Sequence, residues 1–171
     1  YEEALAQSEN AAEQNAIPLE VPLPRIFMGG DYRASIELRE RCPACRGAGE
    51  IGPRACPSCE GAGFHLLRGH AHFDLPTNAP EGSILPAAFI CEERPTIPIR
   101  VRIEDAPHPA FRRIGLDLRA RIIIPRSMAR RGGRLIMTTP LGKRLAIDIP
   151  KGTMTGHQII LPGYGMPHPD G

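Results

Sequence analysis

One nine-residue pattern occurs twice in close succession, CPACRGAGE from Cys42 and CPSCEGAGF from Cys56. Each copy reads Cys-x-x-Cys-x-Gly-x-Gly. A single Cys-x-x-Cys is consistent with redox chemistry or with chance. Two copies with identical trailing glycines call for one geometric cause, and a tetrahedral zinc ion supplies it. Cys42, Cys45, Cys56 and Cys59 offer four thiolates, which fill the coordination sphere of a structural site and leave no position open for catalysis. Glycines at 47, 49, 61 and 63 permit the positive φ values that turn the chain behind a metal. The segment between Cys45 and Cys56 is long enough for a short hairpin joining the two knuckles. A pair of disulfides or a dithiol redox centre is the competing reading of the same spacing.

The 171 residues suit one medium domain or two small ones. A net charge of +2 is too mild to demand a nucleic acid or a membrane as partner. No run of eighteen apolar residues marks a membrane span, and the acidic start Tyr1-Glu2-Glu3 does not read as a secretory leader. The lack of an initial Met suggests a fragment or a processed chain. Four metal-type cysteines argue for a reducing compartment, hence a cytoplasmic protein. The fifth, Cys91, ends the apolar run Ala87–Cys91 and is expected to be a half-buried free thiol.

Nineteen prolines and eighteen glycines punctuate the chain, and Trp is absent. Many prolines close short apolar runs, as in Ile122-Ile123-Ile124-Pro125, Ile147-Asp148-Ile149-Pro150 and Ile160-Leu161-Pro162. Proline cannot donate to a central ladder, so it marks strand ends. The expectation is a mostly β protein. Residues 1–16 read as a frayed helix or linker. Residues 17–24 (IPLEVPLP) read as extended, either packed on the body or imitating a bound peptide. Strands are expected at 33–39, 70–75, 83–85, 97–104, 115–124, 134–138, 144–149 and 158–161, with one helical turn at 127–131 ending at Gly132. An internal repeat supports two lobes. Asp74-Leu75-Pro76 and Asp148-Ile149-Pro150 each lead through a Gly turn to a second Ile-Leu-Pro.

Three motifs now resemble one family. The zinc repeats resemble the cysteine-rich region of DnaJ-type J-domain co-chaperones. His108-Pro109-Ala110-Phe111-Arg112-Arg113-Ile114-Gly115-Leu116-Asp117-Leu118 is similar to that family's His-Pro-x-Phe-x-Arg-x-Gly-x-Asp-Leu. Residues 150–156 and 161–167 are similar to its late turn and strand signature. The resemblance covers about residues 31–171. It implies two tandem β-sandwich-like lobes, with the zinc hairpin inserted in the first. Residues 1–30 would be a linker, 31–105 the first lobe with the hairpin at 41–64, and 106–171 a truncated second lobe. The family's full cysteine-rich region has four repeats and two zincs, whereas two repeats here imply one zinc ion.

The resemblance also implies binding of unfolded polypeptide in an apolar groove and delivery to a DnaK-type chaperone. Delivery would use a J-domain outside this chain. By motif position the groove falls on Ala34, Ile36 and Val101, with Leu38 and Phe73 beside them. The alternating pattern alone does not separate groove from core. A homodimer is left open; a membrane partner is not expected, and nucleic acid is disfavoured. His168-Pro169-Asp170 spells the tripeptide with which J-domains act, but without flanking helices it reads as a turn.

No catalytic constellation is visible. His65, His70 and His72 follow the second knuckle, but four thiolates already complete the site. Two other functions remain on the sequence alone. One is a thiol–disulfide oxidoreductase using Cys-Pro-Ala-Cys and Cys-Pro-Ser-Cys. The other is a nucleic-acid-binding zinc ribbon, supported by Arg39, Arg41, Arg46 and Arg54 but diluted by Glu40, Glu50 and Glu60.

Overall fold

The computed structural model describes residues 15–92 and 94–166. Strands β1 (Ile17–Val21), β2 (Gly30–Arg41), β3 (Glu50–Ile51), β4 (Arg54–Ala55), β5 (Phe64–Leu75), β6 (Ile84–Cys91) and β7 (Arg94–Asp105) come first, with helix α1 (Leu23–Met28) between β1 and β2. Then follow β8 (Phe111–Ile114), β9 (Asp117–Ala120), helix α2 (Arg126–Arg131), β10 (Gly133–Thr138) and β11 (Arg144–Ile149). The protein is mostly β, as its composition implied. A five-stranded sheet runs in the order β1-β7-β6-β5-β2, and β3–β4, β8–β9 and β10–β11 form two-stranded ladders.

Contacts divide the chain into two compact units that interleave in sequence. The first gathers Asp31–Asp74 and Ile84–Arg102; the second gathers Pro18–Gly30, Leu75–Ser83 and the described residues from Ile103 onward. The division therefore departs from consecutive blocks at 31–105 and 106–171. Residues 17–28 are not a linker either. They form β1 and α1, and Leu19, Val21, Leu23, Ile26 and Phe27 are buried. Prolines mislead here because of where they fall. Pro22 is the N-cap of α1 and Pro24 lies in its first turn, where a missing N–H costs nothing. Strand β1 lies beside β7, at the opposite edge of the sheet from β2. Residues 1–14, most of the segment expected to be a frayed helix or linker, and the tripeptide at 168–170 lie outside the described residues.

In the first unit β2 alternates exposed and half-buried residues from Asp31 to its end. Leu67, Ala71, Phe73, Phe89 and Val101 are buried. The register sets Leu85 opposite Val101 and Phe89 opposite Ile97, with a shift between Phe89 and Cys91. Strand β5 begins six residues before the expected His70. Gly69 allows this: a Cβ there would stand 2.7 Å from the Phe89 ring and 2.5 Å from the Ile90 carbonyl oxygen. Strand β6 likewise continues through Pro86 to Cys91, which is half-buried and free.

The second unit has an apolar centre of Leu145, Ile147 and Ile149, packed by Ile124, Met128, Leu135, Met137 and Leu161. Burying each such side chain is worth about 1.5–3 kcal/mol. The helical turn before Gly132 is present as α2. Of two further expected strands, one is cut short and one is absent. Residues 115–124 contain a bend: Gly115, at φ 62, opens a two-residue turn between Ile114 and Asp117, so β8 and β9 form a hairpin. Residues 158–161 carry no ladder despite their apolar run.

The internal repeat is larger than the sequence suggested. Pro22, α1 and Gly29-Gly30 lead into β2, and Pro125, α2 and Gly132-Gly133 lead into β10. A Cβ on Gly29 would stand 2.8 Å from the carbonyl oxygen of Leu75, and one on Gly132 would stand 2.9 Å from that of Ile149. The amide of Asn78 donates to the Ile26 carbonyl and that of Gly152 to the Ala129 carbonyl, each at 2.8 Å. Where β10 turns to β11 through residues 139–143, β2 leads to β5 through the cysteine hairpin.

Candidate functional site

The two knuckles are built alike. Gly49 N–H donates to Cys45 Sγ at 3.3 Å, and Gly63 N–H to Cys59 Sγ at 3.1 Å. Cys42 N–H donates to the Gly63 carbonyl at 3.0 Å, and Cys56 N–H to the Gly49 carbonyl at 2.8 Å. Each knuckle thus ties its start to the end of the other. The close approach requires glycine: a Cβ on Gly49 would meet the Gly61 oxygen at 2.6 Å, and one on Gly63 the Gly47 oxygen at 2.7 Å. Between the knuckles β3 and β4 pair Glu50 with Ala55 and Ile51 with Arg54.

The four sulfurs lie within 4.8 Å of one another and all four residues are buried. Cys42 and Cys56 Sγ are 3.9 Å apart, and Cys45 and Cys59 Sγ 3.7 Å. Tetrahedral sulfur ligands about 2.3 Å from zinc stand about 3.8 Å apart. The donor set therefore fits a tetrathiolate metal ion. The two short contacts run between knuckles and not within either Cys-x-x-Cys, and no cysteine is disulfide-bonded. The amide of Cys45, helped by the Ser58 hydroxyl and opposed by burial, pulls the Cys42 thiol down to about 5. Burial pushes the Cys59 thiol up to about 11, against the Gly63 amide. Backbone donors favour the thiolate at Cys42 and dry surroundings oppose it at Cys59; a divalent cation between them would resolve that conflict. Among the described residues no other group of His, Cys, Asp and Glu gathers around a common point. His65 contacts Ser58 at 3.4 Å, His70 contacts Ser35 at 3.3 Å, and His72 pairs with Asp31.

Apart from the cysteines, the hairpin holds little apolar packing. Ile51 and Leu66 are exposed. Phe64 is half-buried beneath the Arg39 guanidinium, 4.9 Å from the ring centroid.

The residues assigned to a groove divide by burial. Ala34, Ile36 and Leu38 occupy one face of β2 and are half-buried. Phe73 is buried and meets Tyr32 edge-on at 5.6 Å. Val101 is fully buried in β7, a core position. Strand β2 is an edge of the sheet, paired on one side with β5. An edge strand presents unpaired backbone donors and acceptors to a further strand.

The motif from His108 to Leu118 has a local cause. His108 Nδ1 accepts from the amides of Ala110 and Phe111 at 3.2 and 3.1 Å, and its ring meets Phe111 edge-on at 5.4 Å. Arg113 is buried and forms a two-pronged pair with Asp105 at 2.8 and 2.5 Å, and also donates to the Ala79 carbonyl at 2.8 Å. Sequence reasoning missed that pair and missed α1. The equal Pro-to-Gly-Gly spacing at Pro22 and Pro125 was the available signal for the helix. The late motif touches the hairpin turn: Met166 N–H donates to the Leu116 carbonyl at 2.8 Å.

Residues 91–171 match the family model described as the DnaJ C terminal domain. The chain is similar to a chaperone protein DnaJ of Rhodospirillum centenum, at 34% identity over 133 residues, covering 75% of this chain and 35% of that protein. It is similar to chaperone protein DnaJ 1 of Nocardia farcinica at 34% over 130 residues, 74% of this chain and 34% of that protein. With a chaperone protein DnaJ of Chelativorans sp. it shares 28% over 155 residues, 86% of this chain and 41% of the relative. The chain thus spans roughly a third to two-fifths of the length of these relatives.

Proposed function

We propose, from the premise that this chain is a relative of the DnaJ chaperones and carries their C-terminal domain, that it is the client-binding part of a co-chaperone. It would bind non-native polypeptide without catalysing a reaction, in the cytoplasm, and serve a DnaK-type chaperone through a J-domain elsewhere in the full protein. Zinc would be held by Cys42, Cys45, Cys56 and Cys59. With four protein sulfurs it supplies structure and no open coordination site.

The observation that carries this reading is the edge strand β2 with Ala34, Ile36 and Leu38 half-buried along one face. A client segment in extended form adds as a strand to such an edge. Main-chain bonds give affinity, and a shallow apolar face takes alternate side chains. Phe73, on the neighbouring β5, supports that face through its contact with Tyr32, and Val101 belongs to the core of the same sheet. Weak and broad binding follows, since backbone hydrogen bonds carry little sequence information.

The test is suppression of aggregation of a reduced, unfolded model protein. Ile36→Asp should abolish most of the suppression while leaving the melting midpoint nearly unchanged. Equal suppression by wild type and Ile36→Asp would remove the groove from β2. Val101→Asp is not a test of the groove, because it buries an unpaired carboxylate and lowers stability instead.

A further inference from the structure

The net charge of +2 conceals a steep gradient. From Ala106 to Lys151 there are eleven Lys and Arg residues and two Asp or Glu residues. Two of the arginines have carboxylate partners, Arg113 with Asp105 and Arg134 with Asp148. Arg112, Arg119 and Arg121 have none among the described residues. Arg112 and Arg119 stand directly opposite each other across the β8–β9 ladder, on its exposed face. Like charges so placed are destabilising. An anion held between the two guanidinium forks would reverse the sign of that interaction.

All three arginines line one cleft of about 900 Å³, within the second unit. Its remaining wall is largely apolar, with Leu23, Pro107, Pro109 and Phe111. Of its two carboxylates, Asp105 is taken by Arg113, which leaves Glu81 against three free guanidiniums. The geometry points to a second binding site in this cleft, for an acidic peptide in which Asp and Glu alternate with apolar residues. The carboxylates would take Arg112, Arg119 and Arg121, which suit planar two-pronged recognition. The apolar residues would lie along the proline-rich wall. A nucleic acid fits less well: Phe111 is the one aromatic carbocycle on the wall, and it is engaged by His108, so no free ring offers a stacking platform. The site is separate from the β2 edge and does not depend on client binding there.

Fluorescence anisotropy of the full chain with a labelled Glu/Asp/Leu peptide, and with its Gln/Asn/Leu counterpart, tests the site. Carrying out both titrations in the Ile36→Asp background removes any contribution from the β2 edge. The acidic peptide should bind about tenfold or more tightly than the neutral one, and added salt should weaken it. Arg112→Ser with Arg119→Ser should lose about tenfold or more, with a melting midpoint unchanged or raised because the opposed charges are gone. Lys143→Ser with Lys151→Ser removes the same charge outside the cleft and should change binding little. Equal binding of both peptides, or equal losses in the two double variants, would overturn the site. So would tighter binding of inorganic phosphate or of a single-stranded oligonucleotide than of the acidic peptide.

Discussion

The two halves of the internal repeat share a frame and differ in how the turn between their strands is closed. In the second half, β10 returns as β11 after five residues. That turn is fixed by local bonds: Thr139 N–H to the Lys143 carbonyl at 2.8 Å, Gly142 N–H to the Thr139 carbonyl at 2.9 Å, and Lys143 N–H to Thr139 Oγ1 at 3.2 Å. Its strands pack against α2 and a cluster of Leu, Ile and Met. In the first half the corresponding turn is replaced by residues 42–63, too many for local bonds and too polar for a core of their own. The buried side chains of that insertion are those of four cysteines. Below a certain size a hydrophobic core cannot hold a fold, and four sulfurs that fit a metal ion offer a substitute. The difference shows how one frame carries either a turn closed by local bonds or a module gathered around four buried sulfurs.

Metal removal should produce the largest effect. The native chain should hold one zinc per molecule by elemental analysis. Chelation, or Cys42→Ser, should erase amide dispersion for residues 42–63 in NMR spectra and leave the β10–β11 signals in place. Cooperative loss of all β structure on chelation would show that the two halves are not independent modules.

A smaller effect should sharpen the equivalence of the two frames. Gly29 has φ 63 and Gly132 has φ 77, and a Cβ on either would press on the backbone of the strand-ending turn. Gly29→Ala and Gly132→Ala should each cost about 1–3 kcal/mol by denaturant unfolding, without altering zinc content. A large cost at one site and none at the other would mean that the glycines share a spacing but not a role.

The smallest effect is expected at Arg134 and Asp148, an exposed pair 2.8 Å apart on neighbouring strands. The hydrogen bond and charge of Arg134 hold the Asp148 carboxyl below its ordinary value. A depressed folded pKa stabilises above the ordinary carboxylate range and is lost as pH falls through the folded value. Arg134→Ala should therefore change the melting midpoint little near neutrality, and less still in high salt. Any difference from wild type should vanish in acid; a difference that grows on acidification would contradict this origin.

The sequence was most legible where one residue type has one job. The Cys-x-x-Cys-x-Gly-x-Gly pairs specified the four buried sulfurs, and the glycines at 49 and 63 proved necessary because each backbone faces a carbonyl oxygen. Alternation located β2, β7, β10 and β11. It failed where residues serve two purposes. Pro22 and Pro24 read as helix breakers but start a helix, and the apolar run before Pro162 carries no strand. Burial at Val101 and half-burial at Ile36 follow the same alternating pattern in sequence and differ only through the neighbours that the sheet supplies.

Composition and spacing alone determined a mostly β chain, its cluster of four cysteines and half of its repeat, because each of these follows from bonds reaching a few residues along the backbone. Strand order, with β2 at an edge and β1 beside β7, was settled by the tertiary structure. So were the pairing of Arg113 with Asp105 and the gathering around one cleft of three arginines that have no carboxylate partner among the described residues. Those features depend on residues distant in sequence, and no local pattern states which distant neighbour a side chain will meet.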